Sequence, residues 1–262
     1  MGILVFDSGI GGLSILRELR LALPGMPVSY VADDAGFPYG DWEEEPLCDR
    51  LEALFRRYIA LFRPQLCVVA CNTATTIAID RLRQGFPSTP FVGTVPAITP
   101  AAERTASGLI SVLATPGTVD RDYTRNLINE FAADKWVTLV GAPDLAKLAE
   151  MHLRGEAVSP DILKAQIAPC FVEKDGKRTD IVVLGCTHYP FMANMMRKYA
   201  PWPVDWLNPA EAIASRAKSV LGDTQPAQMV REDTDRAVFT SDSPPAITAR
   251  LVGSFGLKVV RS

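Results

Sequence analysis

Short apolar runs alternate along the chain with longer stretches in which apolar residues return every three or four positions. Runs rich in β-branched residues at 3–6, 28–32, 66–70, 91–94, 110–114, 137–140 and 181–184 predict strands, with weaker candidates at 204–207, 237–240 and 257–260. Between them, helical spacing is clearest at 11–22, 46–61, 74–84, 119–133, 160–168 and 210–221. In the second of these windows Leu47, Leu51, Leu54, Phe55, Tyr58 and Leu61 keep to one face, as a helix packed on a sheet requires. Regular alternation of β and α units predicts an α/β fold whose mainly parallel sheet is covered by helices on both faces. Sites in such folds lie beyond the carboxyl ends of the strands, where Asp7, Cys71 and Cys186 fall.

Two of those strand ends read as copies. LCVVACNTAT, from Leu66, and IVVLGCTHYP, from Ile181, each run from an apolar strand into a cysteine followed by small hydrogen-bonding residues. A second pair supports an internal repeat: FDSGIGG follows the first strand, and ATPGTV follows the strand at 109–113. The expected architecture is two similar, pseudo-two-fold related α/β lobes with the active site in the cleft between them. Residues 1–95 plus 209–262 would form the first lobe and 96–208 the second. The chain would cross near 94–98 and return near Asn208-Pro209.

The 262 residues carry 48% hydrophobic and 22% charged positions, with a net charge of −3. This balance disfavours nucleic acid and anionic membranes as partners, since both select basic surfaces. No apolar run approaches the roughly 20 residues of a membrane helix. The first strand opens at Ile3 without a basic leader, so no secretion signal is expected. Five widely spaced cysteines in such a chain predict reduced thiols and a cytoplasmic protein.

The glycine-rich turn from Asp7 to Gly12 offers backbone amides and a helix start suited to a carboxylate or phosphate, or simply a tight turn. It is no dinucleotide fingerprint, because Ser14 stands at the third glycine position of G-x-G-x-x-G; nor does a G-K-[ST] follow. Cys71 and Cys186 are each followed by polar residues expected to cap a helix, Asn72 and Thr73 in one case and Thr187 in the other. A thiol at a helix start has a lowered pKa and is prepared to act as a base. Cys67 and Cys170 fit a packing role. A Cys/His hydrolase would use His188 with Cys186 but leave Cys71 idle. A zinc site from Cys71, Cys186 and His188 lacks a C-x-x-C or H-x-x-x-H clamp. No lysine lies near these strand ends to carry pyridoxal phosphate.

Two matched thiols suit a reaction that removes a proton from one face of a carbon and returns one to the other. One would act as thiolate and the other as thiol, exchanging roles with substrate handedness. Without a cofactor to absorb the carbanion, fixed donors must hold the substrate carboxylate, and Ser8, Asn72, Thr73, Thr187 and turn amides qualify. Asp7 and His188 could relay protons, although the sequence does not say for which thiol.

With these residues in place the chain resembles the cofactor-independent glutamate racemases of the aspartate/glutamate racemase superfamily. The resemblance rests on DSGIGGLS from Asp7, YVADDAGFPYG from Tyr30, CNTAT from Cys71, VPAI from Val95, ATPGTV from Ala114, Glu150, LGCTHYP from Leu184 and FTSDSP from Phe239. It implies Cys71 and Cys186 as the acid/base pair, assisted by Asp7, His188 and Glu150. It implies glutamate contacts from Asp7, Ser8, Tyr39, Gly40, Asn72, Thr73, Thr118, Thr187 and His188. It implies no metal and no cofactor, a D-glutamate product for peptidoglycan synthesis, and a homodimer as a compatible assembly. The chain departs from the family's usual G-D-T-A-R at 32–36, where it reads Ala-Asp-Asp-Ala-Gly, and continues into an acidic 41–45. An idle or altered-specificity homologue binding an acidic metabolite or a protein partner is the alternative.

Overall fold

A computed structural model describes residues 2–222 and 235–261, and they divide into two compact units, Met1–Thr94 with Ala210–Ser262, and Val95–Pro209. The first unit begins with β1 (Ile3–Asp7), α1 (Leu13–Ala22), β2 (Val28–Ala32), α2 (Glu44–Phe62), β3 (Leu66–Val69), α3 (Asn72–Gly85) and β4 (Phe91–Gly93). The second holds α4 (Ile98–Arg104), β5 (Leu109–Ala114), α5 (Pro116–Val119), α6 (Asp122–Phe131), β6 (Trp136–Gly141), α7 (Leu145–Leu153), α8 (Pro160–Ile167), the short hairpin β7 (Glu173–Lys174) and β8 (Lys177–Arg178), β9 (Ile181–Gly185), α9 (Tyr189–Tyr199) and β10 (Asp205–Leu207). The chain then completes the first unit with α10 (Ala210–Leu221), β11 (Arg236–Phe239), α11 (Ala246–Ser254) and β12 (Lys258–Val259).

Among the described residues the first unit's sheet runs β12-β11-β2-β1-β3-β4, every neighbouring pair parallel. Its central strand β1 is buried at every position, which is why it reads as a continuous apolar run rather than an alternation. Leu4 and Phe6 share a core with Leu47, Leu51, Phe55 and Tyr58 of α2 and with Ala74, Ala78 and Leu82 of α3. Phe55 anchors this layer, 4.7 Å from Phe6 and 5.4 Å from Phe91 between ring centroids. The alternate residues Ile3 and Val5, also buried, serve the opposite face, where α10 packs on α1, β3 and β4. α2 stops at Arg63, whose φ of 46° is the left-handed conformation that closes many helices.

The second unit has its own parallel sheet in the order β10-β9-β5-β6. Ile110, Val112, Ile181 and Val183 pack beneath Ile98 and Ala101 of α4 and Leu127 and Ile128 of α6. The window 119–133 is not one helix. Arg121 is extended (φ −88°, ψ 142°), which separates α5 from α6, and the Thr124 hydroxyl donates to the Thr118 carbonyl at 2.7 Å across the break. Among the described residues no helix is long and apolar enough to cross a membrane.

Candidate functional site

In the first unit the candidate side chains gather beyond the carboxyl ends of neighbouring strands β1 and β3. Asp7 and Ser8 leave β1, and Cys71 leaves β3; all three are buried. The Cys71 thiol lies 3.7 Å from the Ser8 hydroxyl. Asp7 Oδ2 accepts the Gly9 amide at 3.1 Å, and the Tyr30 phenol donates to the Gly9 carbonyl at 2.8 Å, so the turn is fixed from within. Gly12 is required at its place: a Cβ there would come within 2.8 Å of Asp7 Cβ and of the Tyr30 hydroxyl, and 3.1 Å of Ala70 Cβ. The glycine-rich motif therefore serves close packing of a turn against the next strand end.

The helix start at Cys71 differs from the sequence expectation. Cys71 is itself the N-cap of α3, with φ −66° and ψ 123°, and Asn72 and Thr73 are its first helical residues rather than its caps. Asn72 is 2% exposed, and neither its amide nitrogen nor its oxygen has a hydrogen-bond partner. The Thr94 hydroxyl, beyond the end of β4, is likewise buried and unpartnered. Leaving such groups unpaired costs about 1–3 kcal/mol each, so an orphaned amide adjoining the thiol points to a ligand that completes it. Tyr39 is buried in the same core as Cys71, and Gly40 is half-buried beside it.

The second unit builds the other cluster at the ends of neighbouring strands β5 and β9. Gly185, paired with Ala114, leaves no room for a side chain: a Cβ would meet Ala114 Cβ at 2.8 Å and the Leu113 carbonyl at 3.2 Å. Cys186 follows directly. Its thiol lies 3.7 Å from His188 Nδ1, so the turn does bring these two side chains together. The Thr187 hydroxyl lies 3.5 Å from the same nitrogen rather than capping a helix, since α9 takes His188 as its N-cap. On the far side of the imidazole, Nε2 lies 3.0 Å from Glu150 Oε1 of α7, and Glu150 Oε2 accepts from Arg154 Nη1 at 3.3 Å. Thr118 is buried in α5 at the end of β5, 3.1 Å from the Thr115 hydroxyl.

A file thus runs from the buried Cys186, His188 and Glu150 to the partly exposed Arg154. Burial opposes a charged imidazole, but hydrogen bonds and charge from Cys186 and Glu150 outweigh it and hold His188 well above its ordinary pKa. Burial raises Cys67 far above the usual thiol range and pushes Cys170 up to about 12, which keeps both protonated and inert. Cys48 is also raised by burial and lies 3.7 Å from the Ile77 carbonyl. Among the described residues no three His, Cys, Asp or Glu side chains are grouped as a metal site would need.

The fold and these clusters define a class. Residues 38–217 match the Asp/Glu/Hydantoin racemase family, and the chain belongs to that family of isomerases. Its relatives include the glutamate racemase of Brucella canis, 59% identical over 98% of this chain and 92% of that protein, and that of Brucella anthropi, 59% identical over 97% and 92%. Among solved structures, Escherichia coli glutamate racemase in complex with L-glutamate and the activator UDP-MurNAc-ala superposes with a TM-score of 0.90 at 36% identity, covering 99% of this chain and 97% of that one. The Thermus thermophilus glutamate racemase, in complex with β-chloro-D-alanine, gives 0.74 at 28% identity, with 100% and 96% covered.

Proposed function

We propose that this enzyme interconverts L- and D-glutamate by proton transfer at Cα, with Cys71 and Cys186 as the two acid/base groups and no cofactor, and that its D-glutamate feeds peptidoglycan synthesis. The observation that carries the mechanism is the pair of strand-end thiols, each set among hydrogen-bonding groups, Ser8 for Cys71 and His188 for Cys186. One thiolate removes the α-proton while the opposite thiol delivers another, and the reverse reaction exchanges their roles. Negative charge moves onto the substrate carboxylate as the carbon is deprotonated. Asn72, Ser8, Thr73, Thr118 and Thr187 supply hydrogen-bonding groups for it, and Tyr39 and Gly40 line the Cys71 side. Asp7 stiffens the turn that carries Ser8, and Glu150 orients His188 against Cys186.

Within the acidic 41–45 segment, which motivated the partner-binding alternative, Glu45 pairs with Arg81 of α3, which also holds Asp49 and Glu52 farther along α2. Incubation of either enantiomer in heavy water should place deuterium at Cα as the pool racemises, followed by NMR. Binding of glutamate without exchange would favour the idle homologue instead.

Glu150→Gln tests the His188 side. Removing the carboxylate should lower the His188 pKa and move the alkaline limb of the kcat profile to lower pH, while the Cys71 side is untouched. An unshifted limb would remove Glu150 from the mechanism. The same raised value gives the sign for stability. The imidazolium stabilises the fold fully below about 6.5, the ordinary value, and that contribution is lost as pH rises through the folded one.

A further inference from the structure

The loop leading to Tyr39 is anchored by groups that the proton transfers do not use. Asp33 is fully buried after β2, and its carboxylate accepts four hydrogen bonds. Arg50 of α2 donates Nε to Oδ2 at 2.6 Å and Nη2 to Oδ1 at 2.5 Å, in bidentate geometry. The Tyr39 phenol donates to Oδ2 at 2.5 Å and the Thr240 hydroxyl to Oδ1 at 2.6 Å. The Arg50 guanidinium lies 5.5 Å from the Trp42 ring centroid, and Trp42 Nε1 donates to the Gly36 carbonyl at 2.8 Å. No side chain fits at position 36: a Cβ on Gly36 would come within 2.6 Å of Asp33 Oδ2 and 2.8 Å of Arg50 Nε. Asp34 ties the loop to the end of β11 through the Ser241 amide at 2.9 Å and hydroxyl at 2.5 Å. All of these residues belong to the first unit.

The anchor holds Tyr39. This side chain is 2% exposed, is bonded to Asp33 and packs in the core that contains Cys71. Burial first, then Asp33 and Cys71, disfavour its phenolate, so it remains a fixed donor to Asp33 rather than a proton carrier. Arg50 is the balancing charge for that carboxylate. Without it, the buried anion would keep only the uncharged Tyr39 and Thr240 hydroxyls, and the loop would have to move to hydrate it.

We propose that Arg50 and Asp33 are positioning residues for racemisation, an ion pair that fixes Tyr39, and with it the Gly40 backbone, in the core that contains Cys71 and so sets the efficiency of the proton transfer at that thiol. This rests on the two-thiol reading above. It assigns an effect on one of the two transfers to a guanidinium on α2, remote in sequence from either cysteine.

The test is the kinetics of Arg50→Met and Arg50→Lys with L- and D-glutamate, each with hydrogen or deuterium at Cα. Enantiomers have equal free energy, so kcat/KM must fall alike in both directions and cannot locate the defect. Isotope effects can. If the Cys71 transfer becomes slowest, the substrate isotope effect grows for the enantiomer whose proton Cys71 removes and shrinks for the other. Arg50→Met should lower kcat/KM by about 10- to 100-fold, as misplacement by about 1 Å does. Its two isotope effects should separate, and Arg50→Lys should recover part of both. Glu150→Gln, on the Cys186 side, should separate them in the opposite sense. Two isotope effects unchanged from the wild type in Arg50→Met, whether its rate falls or not, overturn the positioning role. So does separation in the same sense as Glu150→Gln. Failure of the underlying reading shows elsewhere, as absence of heavy-water exchange in the wild-type enzyme.

Discussion

Cys71→Ser and Cys186→Ser each lower glutamate racemisation by on the order of 10³-fold or more, within the range expected for losing a positioned acid or base. A serine hydroxyl keeps the size and hydrogen bonding of the thiol, but it is not ionised near neutrality. The pair should also fail in mirror image. Each variant keeps one thiol, which can remove a proton from one enantiomer and return solvent deuterium to the same face. Cys71→Ser should therefore wash deuterium into one enantiomer without inverting it, and Cys186→Ser into the other. Near wild-type racemisation in either variant would sink the two-thiol mechanism, and washout of the same enantiomer by both would remove the assignment of one thiol to each face. Cys67→Ser and Cys170→Ser serve as controls, because burial already keeps those thiols protonated.

The second large effect comes from the orphaned amide. Asn72→Leu replaces a buried side chain whose two polar atoms lack partners with an apolar one of similar size. In the absence of substrate the variant should be as stable as the wild type or more so, since an unsatisfied polar group costs about 1–3 kcal/mol. In the assay kcat/KM should fall about 10²-fold if, as proposed, the amide's partner is a substrate oxygen whose charge grows in the transition state. Opposite signs in stability and activity distinguish a binding residue from a packing one. Reduced thermal stability with unchanged kcat/KM would make Asn72 structural and withdraw it from the site.

The strands of both sheets and the helices α1, α2, α3, α8 and α10 were legible because each carries its own periodicity, whereas α4, α7, α9 and α11 were not singled out. The apolar runs of β1, β3 and β9 announce central parallel strands, and α2 shows its buried face through Leu47, Leu51, Phe55 and Tyr58. The break at Arg121 was not legible, since the apolar spacing continues across it; the extended Arg121 backbone and the Thr124–Thr118 hydrogen bond mark the bend. The capping roles were misassigned for a related reason. Cysteine has weak capping preference, so the pattern favoured the polar neighbours, whereas the backbone conformations make Cys71 and His188 the N-caps. The anchor at Asp33 left one signal, the unusual Gly36, which the structure explains by the Arg50 guanidinium above it.

By itself the sequence determined the alternation of strands and helices, the duplicated thiols at strand ends and the glycines on which close approach depends. These are local properties, set by side-chain period and backbone freedom within a few residues. Only the tertiary structure decided which side chains become partners. His188 meets Glu150 across 38 residues, Asp33 meets Arg50 across 17, and Asp33 meets Thr240 across 207. Those pairings follow from strand order and from the faces on which the helices return to each sheet. A period along the chain fixes which way a residue points, but not which distant residue it meets there.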